Sequence, residues 1–197
     1  MKRQDNTILS IFKKLEAVQS GHFILTSGNH SDTYVQCARI LENPSVTGKF
    51  CKILAKHWEK AGIDVIAGPA VGGIIIAYEL ARILKACAIY LERVENKLTL
   101  RRGFVIKPGE KVLVVEDVVT TGGSAQEVIH VVNECGAYVR GMVSLVDRSG
   151  GELKSIFPIK FKALLKINPP IYPPSECPLC KQGIPTIIPG SRGLKKA

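Results

Sequence analysis

The chain has 197 residues, 46% of them hydrophobic and 22% charged, with a formal net charge of +10. That length suits one domain with an added lobe, and the apolar share is enough for a sizeable core, which sets aside global disorder. No apolar run approaches the ~20 residues of a membrane-crossing helix, and the opening MKRQDNTILS lacks the apolar stretch of a signal peptide, so a cytoplasmic setting with six reduced cysteines is expected.

Residues 8–18 have helical spacing, with Asn6 and Thr7 as caps. Residues 22–40 are polar and irregular, with room for short strands. Residues 43–62 read as a helix opened by Pro44 and closed by Gly62, with Leu54, Ala55 and Trp58 facing inward. A short buried strand at 64–67 leads into the turn 68–73, and a helix follows at 74–85. A strand at 86–91 gives way to a polar, basic stretch at 92–104, read as a loop or hairpin. The strand at 111–115, the helix at 124–135 ended by Gly136, and the strand at 139–146 complete the pattern. One more strand fits 161–167, and the Pro-rich end from Pro169 reads as irregular. Alternating strands and helices imply an α/β fold with a doubly wound, mainly parallel sheet.

The segment 112–124, VLVVEDVVTTGGS, carries the chemistry. Its apolar run reads as a strand buried on both faces. Glu116 and Asp117 stand at its carboxyl end, where open α/β sheets bind ligands. The turn Thr120-Thr121-Gly122-Gly123-Ser124 lets backbone N–H groups approach a phosphate, and the next helix aims its positive end at the same place. Acids that suit ribose hydroxyls beside a phosphate cradle describe a phosphoribosyl site. Read alone, a Glu-Asp pair is as easily a solvated strand end, and the glycine turn is what tips the balance. The basic residues are mostly scattered, with local clusters at Arg101-Arg102 and residues 192–196, which favours a solvated surface over a nucleic-acid face.

On these residues the chain resembles the type I phosphoribosyltransferases, and within them the orotate branch. The Glu-Asp pair followed by Thr-Thr-Gly-Gly-Ser is that branch's pattern. Residues 25–28 with 31–34 resemble its N-terminal hood, Asp147-Arg148 closes the strand where the family binds orotate, and 177–192 resembles the C-terminal tail of microbial members. The resemblance implies a hood segment at 1–41, a core at 42–150 and a C-terminal segment at 151–197 that completes sheet and hood. It also implies transfer of a phosphoribosyl group from phosphoribosyl diphosphate to orotate with Mg²⁺, by a cytoplasmic homodimer acting on small molecules, without nucleic acid or membrane.

The residue roles follow from the same resemblance. Glu116 and Asp117 hold the ribose hydroxyls. Val118, Val119, Thr120, Thr121, Gly122, Gly123 and Ser124 form the 5′-phosphate segment. Ala70, Val71, Gly72 and Gly73 form the diphosphate loop. Arg93 and Lys97 are the catalytic cations of a lid at 92–104, and Thr120, Arg148, Ser27 and Gly28 receive orotate. Three departures reduce the positive charge: Val71-Gly72 replaces a family Tyr-Lys pair, Thr26 stands where many members carry Lys, and the lid lacks the family His. Arg101 and Arg102 are candidates to replace that charge. No covalent nucleophile is expected. The alternatives are a purine or xanthine phosphoribosyltransferase, and a nucleic-acid-binding regulator of the same fold that senses phosphoribosyl diphosphate. Cys177 and Cys180 form one Cys-x-x-Cys pair, half of a structural zinc set. Plain thiols in a tight turn, zinc shared across a dimer and redox chemistry all remain open for it. His30 is given no role.

Overall fold

The computed structural model of the chain describes residues 2–151 and 158–189. In chain order its elements are α1 (Lys2–Lys14), β1 (Val18–Ile24), β2 (His30–Val35), α2 (Ala38–Leu41), α3 (Pro44–Ala55), β3 (Val65–Pro69), α4 (Gly72–Leu84), β4 (Cys87–Val94), β5 (Lys97–Leu100), β6 (Lys111–Val119), α5 (Gly123–Glu134), β7 (Tyr138–Asp147), β8 (Phe161–Lys166) and β9 (Ile171–Tyr172). Two compact units result: residues 1–40 with 168–197, and residues 41–167. The basic cluster at 192–196 lies outside the described residues.

In the larger unit six strands run in the order β5-β4-β3-β6-β7-β8. All neighbours are parallel except β5, which turns back antiparallel on β4. The sheet is therefore the doubly wound, mainly parallel one expected. β3 is buried throughout and β6 from Val112 to Glu116, because helices cover both faces. Val65, Ala67, Val112 and Val114 pack with Ala125, Val128 and Val132 of α5. The intervening Ile66, Leu113 and Val115, also buried, point to the opposite face. There α4, which packs on β3, β4 and β6 and carries the buried Ile76 and Leu80, covers the sheet, with α3 alongside it. Where β7 passes Trp58, only glycine fits: a Cβ on Gly141 (φ 156°) would lie 2.6 Å from the Lys160 carbonyl oxygen and 2.7 Å from the indole Cζ3.

The smaller unit pairs β1, β2 and β9 antiparallel, with α1 against β1. Here the structure departs from the pattern reading. The first helix covers Lys2–Lys14 rather than 8–18, so Asn6 and Thr7 lie inside it. It ends where Glu16 turns left-handed (φ 54°) and the Ala17 N–H donates to the Phe12 carbonyl. Residues 22–40, read as irregular with room for short strands, contribute the end of β1 and all of β2 to a hairpin whose ladder shifts register between Ser20 and Phe23. Its short strands alternate weakly because one face is only half-buried.

In the larger unit one open reading is decided and one element differs. The basic stretch 92–104 begins as a β-hairpin: β4 and β5 pair through Leu91–Val94 and Lys97–Leu100, with Glu95 and Asn96 both at positive φ in a two-residue turn. The central strand does not stop at Val115. It continues through the acids to Val119, held extended by pairing with β7 as far as Asp147.

Candidate active site

From β3 the chain winds through α4 to β4 on one side; from β6 it winds through α5 to β7 on the other. The boundary between β3 and β6 is thus the topological switch of the sheet, where outgoing loops diverge and leave a crevice. Pairing of β3 with β6 ends at Ala67 and Val114. Beyond Val114, β6 is laddered only to β7. The two loops leaving this point are 70–71 and 120–122, so the two predicted ligand loops flank one crevice.

Glu116 and Asp117 sit on the free run of β6. Glu116 lies opposite Ser144 of β7 and is 8% exposed. Burial, then repulsion from Asp117, pushes its carboxyl up to about 9, so it holds a proton at neutral pH. Asp117 is half-buried, and its Oδ1 accepts the Val118 N–H at 2.8 Å. The loop at 70–73, expected to bind diphosphate, meets this carboxylate directly: a Cβ on Gly72 would collide with it, 2.9 Å from Oδ1 and closer still to Cγ and Oδ2. Gly68 is equally confined, its added Cβ falling 2.7 Å from Val115 Cγ2. The Ala70–Val71 peptide is cis, and the Val71 side chain is 79% exposed.

Past β6, Thr120 and Thr121 are exposed and Gly122 turns left-handed at φ 80° as the N-cap of α5. A glycine cap offers no side-chain oxygen to the first-turn amides, so they remain directed at the crevice. A Cβ on Gly123 would meet nothing nearer than Thr121 Oγ1 at 3.9 Å, which leaves room for a bulky anion. Twelve residues of helix stand behind these amides and favour negative charge there.

The remaining predicted residues are placed as follows. Arg93, expected as an open cation, is instead tied to α5: its guanidinium donates to both Glu127 carboxylate oxygens, at 3.0 and 3.2 Å, and to the Asn96 carbonyl at 2.5 Å. Glu127, which the sequence reading missed, also accepts the Leu98 N–H at 3.0 Å and so pins the hairpin. The arginine's hydrogen bonds hold its carboxyl below the usual range. Lys97 is exposed at the tip. Arg101 and Arg102 both pair with Glu92, at 4.0 and 2.7 Å. Arg148 follows β7 half-buried, its N–H donating to the Val119 carbonyl at 2.8 Å, which fixes it beside the end of β6. Asp147 is held by the Ser149 N–H and hydroxyl at 3.0 and 2.6 Å. Ser27 and Gly28 are exposed in the β1–β2 turn of the smaller unit; in the tail of the same unit Cys177 is buried and Cys180 exposed. A separate groove of about 660 Å³, lined in part by His130, Asn133 and Tyr138, lies at the start of β7, the opposite end of the strands from the acids.

A parallel sheet with an acid pair, a glycine-rich phosphate turn and a second small-residue loop at its switch point defines an α/β protein that binds sugar phosphates. The model of the phosphoribosyl transferase domain matches residues 36–168. The orotate phosphoribosyltransferase of Thermotoga maritima is 52% identical over 188 residues, spanning 95% of this chain and 100% of that protein. That of Desulforamulus reducens is 50% identical over 194 residues, spanning 98% and 100%. The crystal structure of orotate phosphoribosyltransferase from Aeropyrum pernix matches with a TM-score of 0.69 at 28% identity, covering 81% of this chain and 93% of that one. The chain belongs to the phosphoribosyltransferase family, in its orotate branch.

Proposed function

We propose that the crevice at the ends of β3 and β6 transfers the phosphoribosyl group of phosphoribosyl diphosphate to orotate, giving orotidine 5′-phosphate and diphosphate. The observation that carries this reading is the packing of Gly72 against the Asp117 carboxylate, which brings the diphosphate loop and the ribose acids to one place. Asp117 and Glu116 accept or share hydrogen bonds with the ribose 2′- and 3′-hydroxyls, and a carboxylate makes the stronger, charge-assisted kind. As the anomeric carbon loses its leaving group, the ring gains positive charge, and a carboxylate fixed beside it stabilises that state.

The amides from Thr121 to Ser124, with the Thr120, Thr121 and Ser124 hydroxyls, hold the 5′-phosphate at the α5 terminus. Backbone groups of Ala70 to Gly73 line the diphosphate. Mg²⁺, held mainly by the donor's own phosphates, would supply the charge neutralisation that Val71-Gly72 lacks. Lys97 at the hairpin tip adds a cation; Arg93 joins it only by leaving Glu127. Arg148 and Thr120 receive the orotate carboxylate and ring, the guanidinium in a bidentate fork. No covalent intermediate is required, because positioning and charge suffice. A cytoplasmic homodimer belongs to the same proposal; Ile75 and Tyr78, exposed on α4, offer it an apolar surface.

The test is diphosphate release with phosphoribosyl diphosphate and Mg²⁺ against orotate, adenine, xanthine and uracil. Turnover with orotate alone supports the reading. Turnover with another base keeps the donor site and discards the Arg148 pocket. Donor binding without turnover on any base moves the regulator reading to first place.

A further inference from the structure

Four potential ligands converge in the smaller unit, away from any step of the reaction. His22 and His30, on one face of the β1–β2 hairpin, meet Cys177 and Cys180 from the tail, and their four ligand atoms all lie within 4.8 Å of one another. His22 Nε2 is 2.8 Å from His30 Nδ1, 3.5 Å from Cys177 Sγ and 3.6 Å from Cys180 Sγ; Cys180 Sγ is 3.3 Å from His30 Nδ1. Metal–sulfur and metal–nitrogen bonds of about 2.3 and 2.05 Å at tetrahedral angles require N···S separations of about 3.5 Å and an N···N separation of about 3.3 Å. The three nitrogen–sulfur distances already match within a few tenths of an ångström. The histidine pair must open, and the separations of Cys177 from His30 and Cys180, within 4.8 Å, must settle to tetrahedral edges.

The surroundings are those of a built site. Cys177, His22 and His30 are 0%, 1% and 6% exposed, and only Cys180 reaches solvent. Nδ1 of His22 lies 2.7 Å from the Ile184 carbonyl oxygen. A carbonyl only accepts, so in the neutral ring that nitrogen carries the proton and Nε2 turns its lone pair to the cluster. The same tail segment is laced to β1: the Ile187 N–H donates to the His22 carbonyl at 2.7 Å, and the Ile24 N–H to the Ile187 carbonyl at 2.9 Å. Cys177 caps and Cys180 lies within a single helical turn, Pro178–Lys181, closed by the Lys181 N–H on the Cys177 carbonyl at 3.2 Å. A plain hydrogen-bonded cluster would account for one proton between the two rings. It gives no reason for two weakly bonding thiols to crowd the same point.

We propose that His22, His30, Cys177 and Cys180 form a structural zinc site within one chain. Two thiolates and two imidazoles in a tetrahedral set favour zinc over harder or square-planar metals. The ion would join segments 155 residues apart in sequence and close the smaller unit on itself. The half-set seen in the Cys-x-x-Cys pair is completed by the chain's own hairpin, with no ligand from a second subunit.

The experiment uses the purified full chain. Elemental analysis after desalting is expected to give about one zinc per chain. Cobalt added to chelator-stripped protein is expected to produce the visible bands of tetrahedral cobalt with a sulfur-to-metal charge-transfer band. Cys180→Ser, at the exposed ligand, is expected to lower zinc affinity at least tenfold and weaken that band, while Cys87→Ser, at an exposed thiol elsewhere, leaves both unchanged. Chelation is expected to lower the parent's Tm by several degrees and leave that of Cys180→Ser nearly unmoved. The proposal is overturned by folded parent protein that takes up less than about a tenth of an equivalent of added zinc. Zinc retained equally in Cys180→Ser, or a Cys177–Cys180 disulfide in the metal-free mass, would overturn it too. None of these readouts depends on turnover, so failure of the catalytic reading would leave the test intact.

Discussion

Glu116→Gln is expected to make the protein more stable at alkaline pH, although it alters a residue assigned to the substrate. The Glu116 carboxyl is raised from 4.5 to about 9, chiefly by burial and then by Asp117. A folded state that binds a proton more tightly than the unfolded chain loses stability as pH rises between those two values. The loss is about 1.4 kcal/mol per pH unit crossed, so roughly 3 kcal/mol of it has accrued by pH 7 and at most about 6 kcal/mol by pH 9. Glutamine is nearly isosteric and has no proton to lose, so the variant lacks this slope. Urea unfolding of parent and variant at intervals from pH 5 to 9 measures it. The difference in unfolding free energy should grow steadily with pH in the variant's favour and flatten above about pH 9. Parallel curves across that range would show that Glu116 ionises normally and that the buried, protonated acid is wrong.

Asp117→Asn should fold normally and lose about a hundred- to a thousandfold in kcat, read by diphosphate release, because it removes a carboxylate from the developing positive charge. Gly72→Ala should act on the same contact from the other side. Its methyl group displaces the Asp117 carboxylate, and kcat/KM for the donor should fall about a hundredfold with little change in Tm. Gly141→Ala should spare the chemistry and injure the fold: the added carbon meets the Lys160 carbonyl and the Trp58 ring, costing about 2–3 kcal/mol and lowering Tm by about 5–10 °C. Glu127→Ala should release the hairpin, so that the Leu98 amide exchanges about tenfold faster with deuterium while amides of the central β6 are unaffected.

Which parts of this were legible in the sequence follows from the range of each interaction. The central strand and its phosphate turn were readable because the cause is local. An apolar run, two acids and two glycines specify strand, strand end and tight turn without help from elsewhere, and β6 with α5 appears where the pattern put it. What the pattern missed was set by partners distant in sequence. The extension of β6 to Val119 depends on β7, since acids interrupt an apolar run but not a hydrogen-bond ladder. The engagement of Arg93 depends on Glu127, a helix acid 34 positions away that carries no local mark of it. Spacing and charge identify a cation but not which carboxylate reaches it first.

The histidines illustrate the same limit most sharply. Only four occur in the chain, and two of them, His22 and His30, stand eight residues apart in the stretch read as irregular. That placement was a usable signal beside the Cys-x-x-Cys pair. It carried no weight while the segment read as irregular, because two residues eight apart share a face only once they are paired strands in a fixed register. In the hairpin Ile24 faces His30 and the ladder shifts register between Ser20 and Phe23, and in that arrangement the His22 ring comes within 2.8 Å of the His30 ring. A pairing register, invisible to composition and periodicity, therefore decides whether these side chains are two unrelated polar residues or half of a metal-binding set. The same register gives His22 its carbonyl partner and leaves its second nitrogen directed at the thiols.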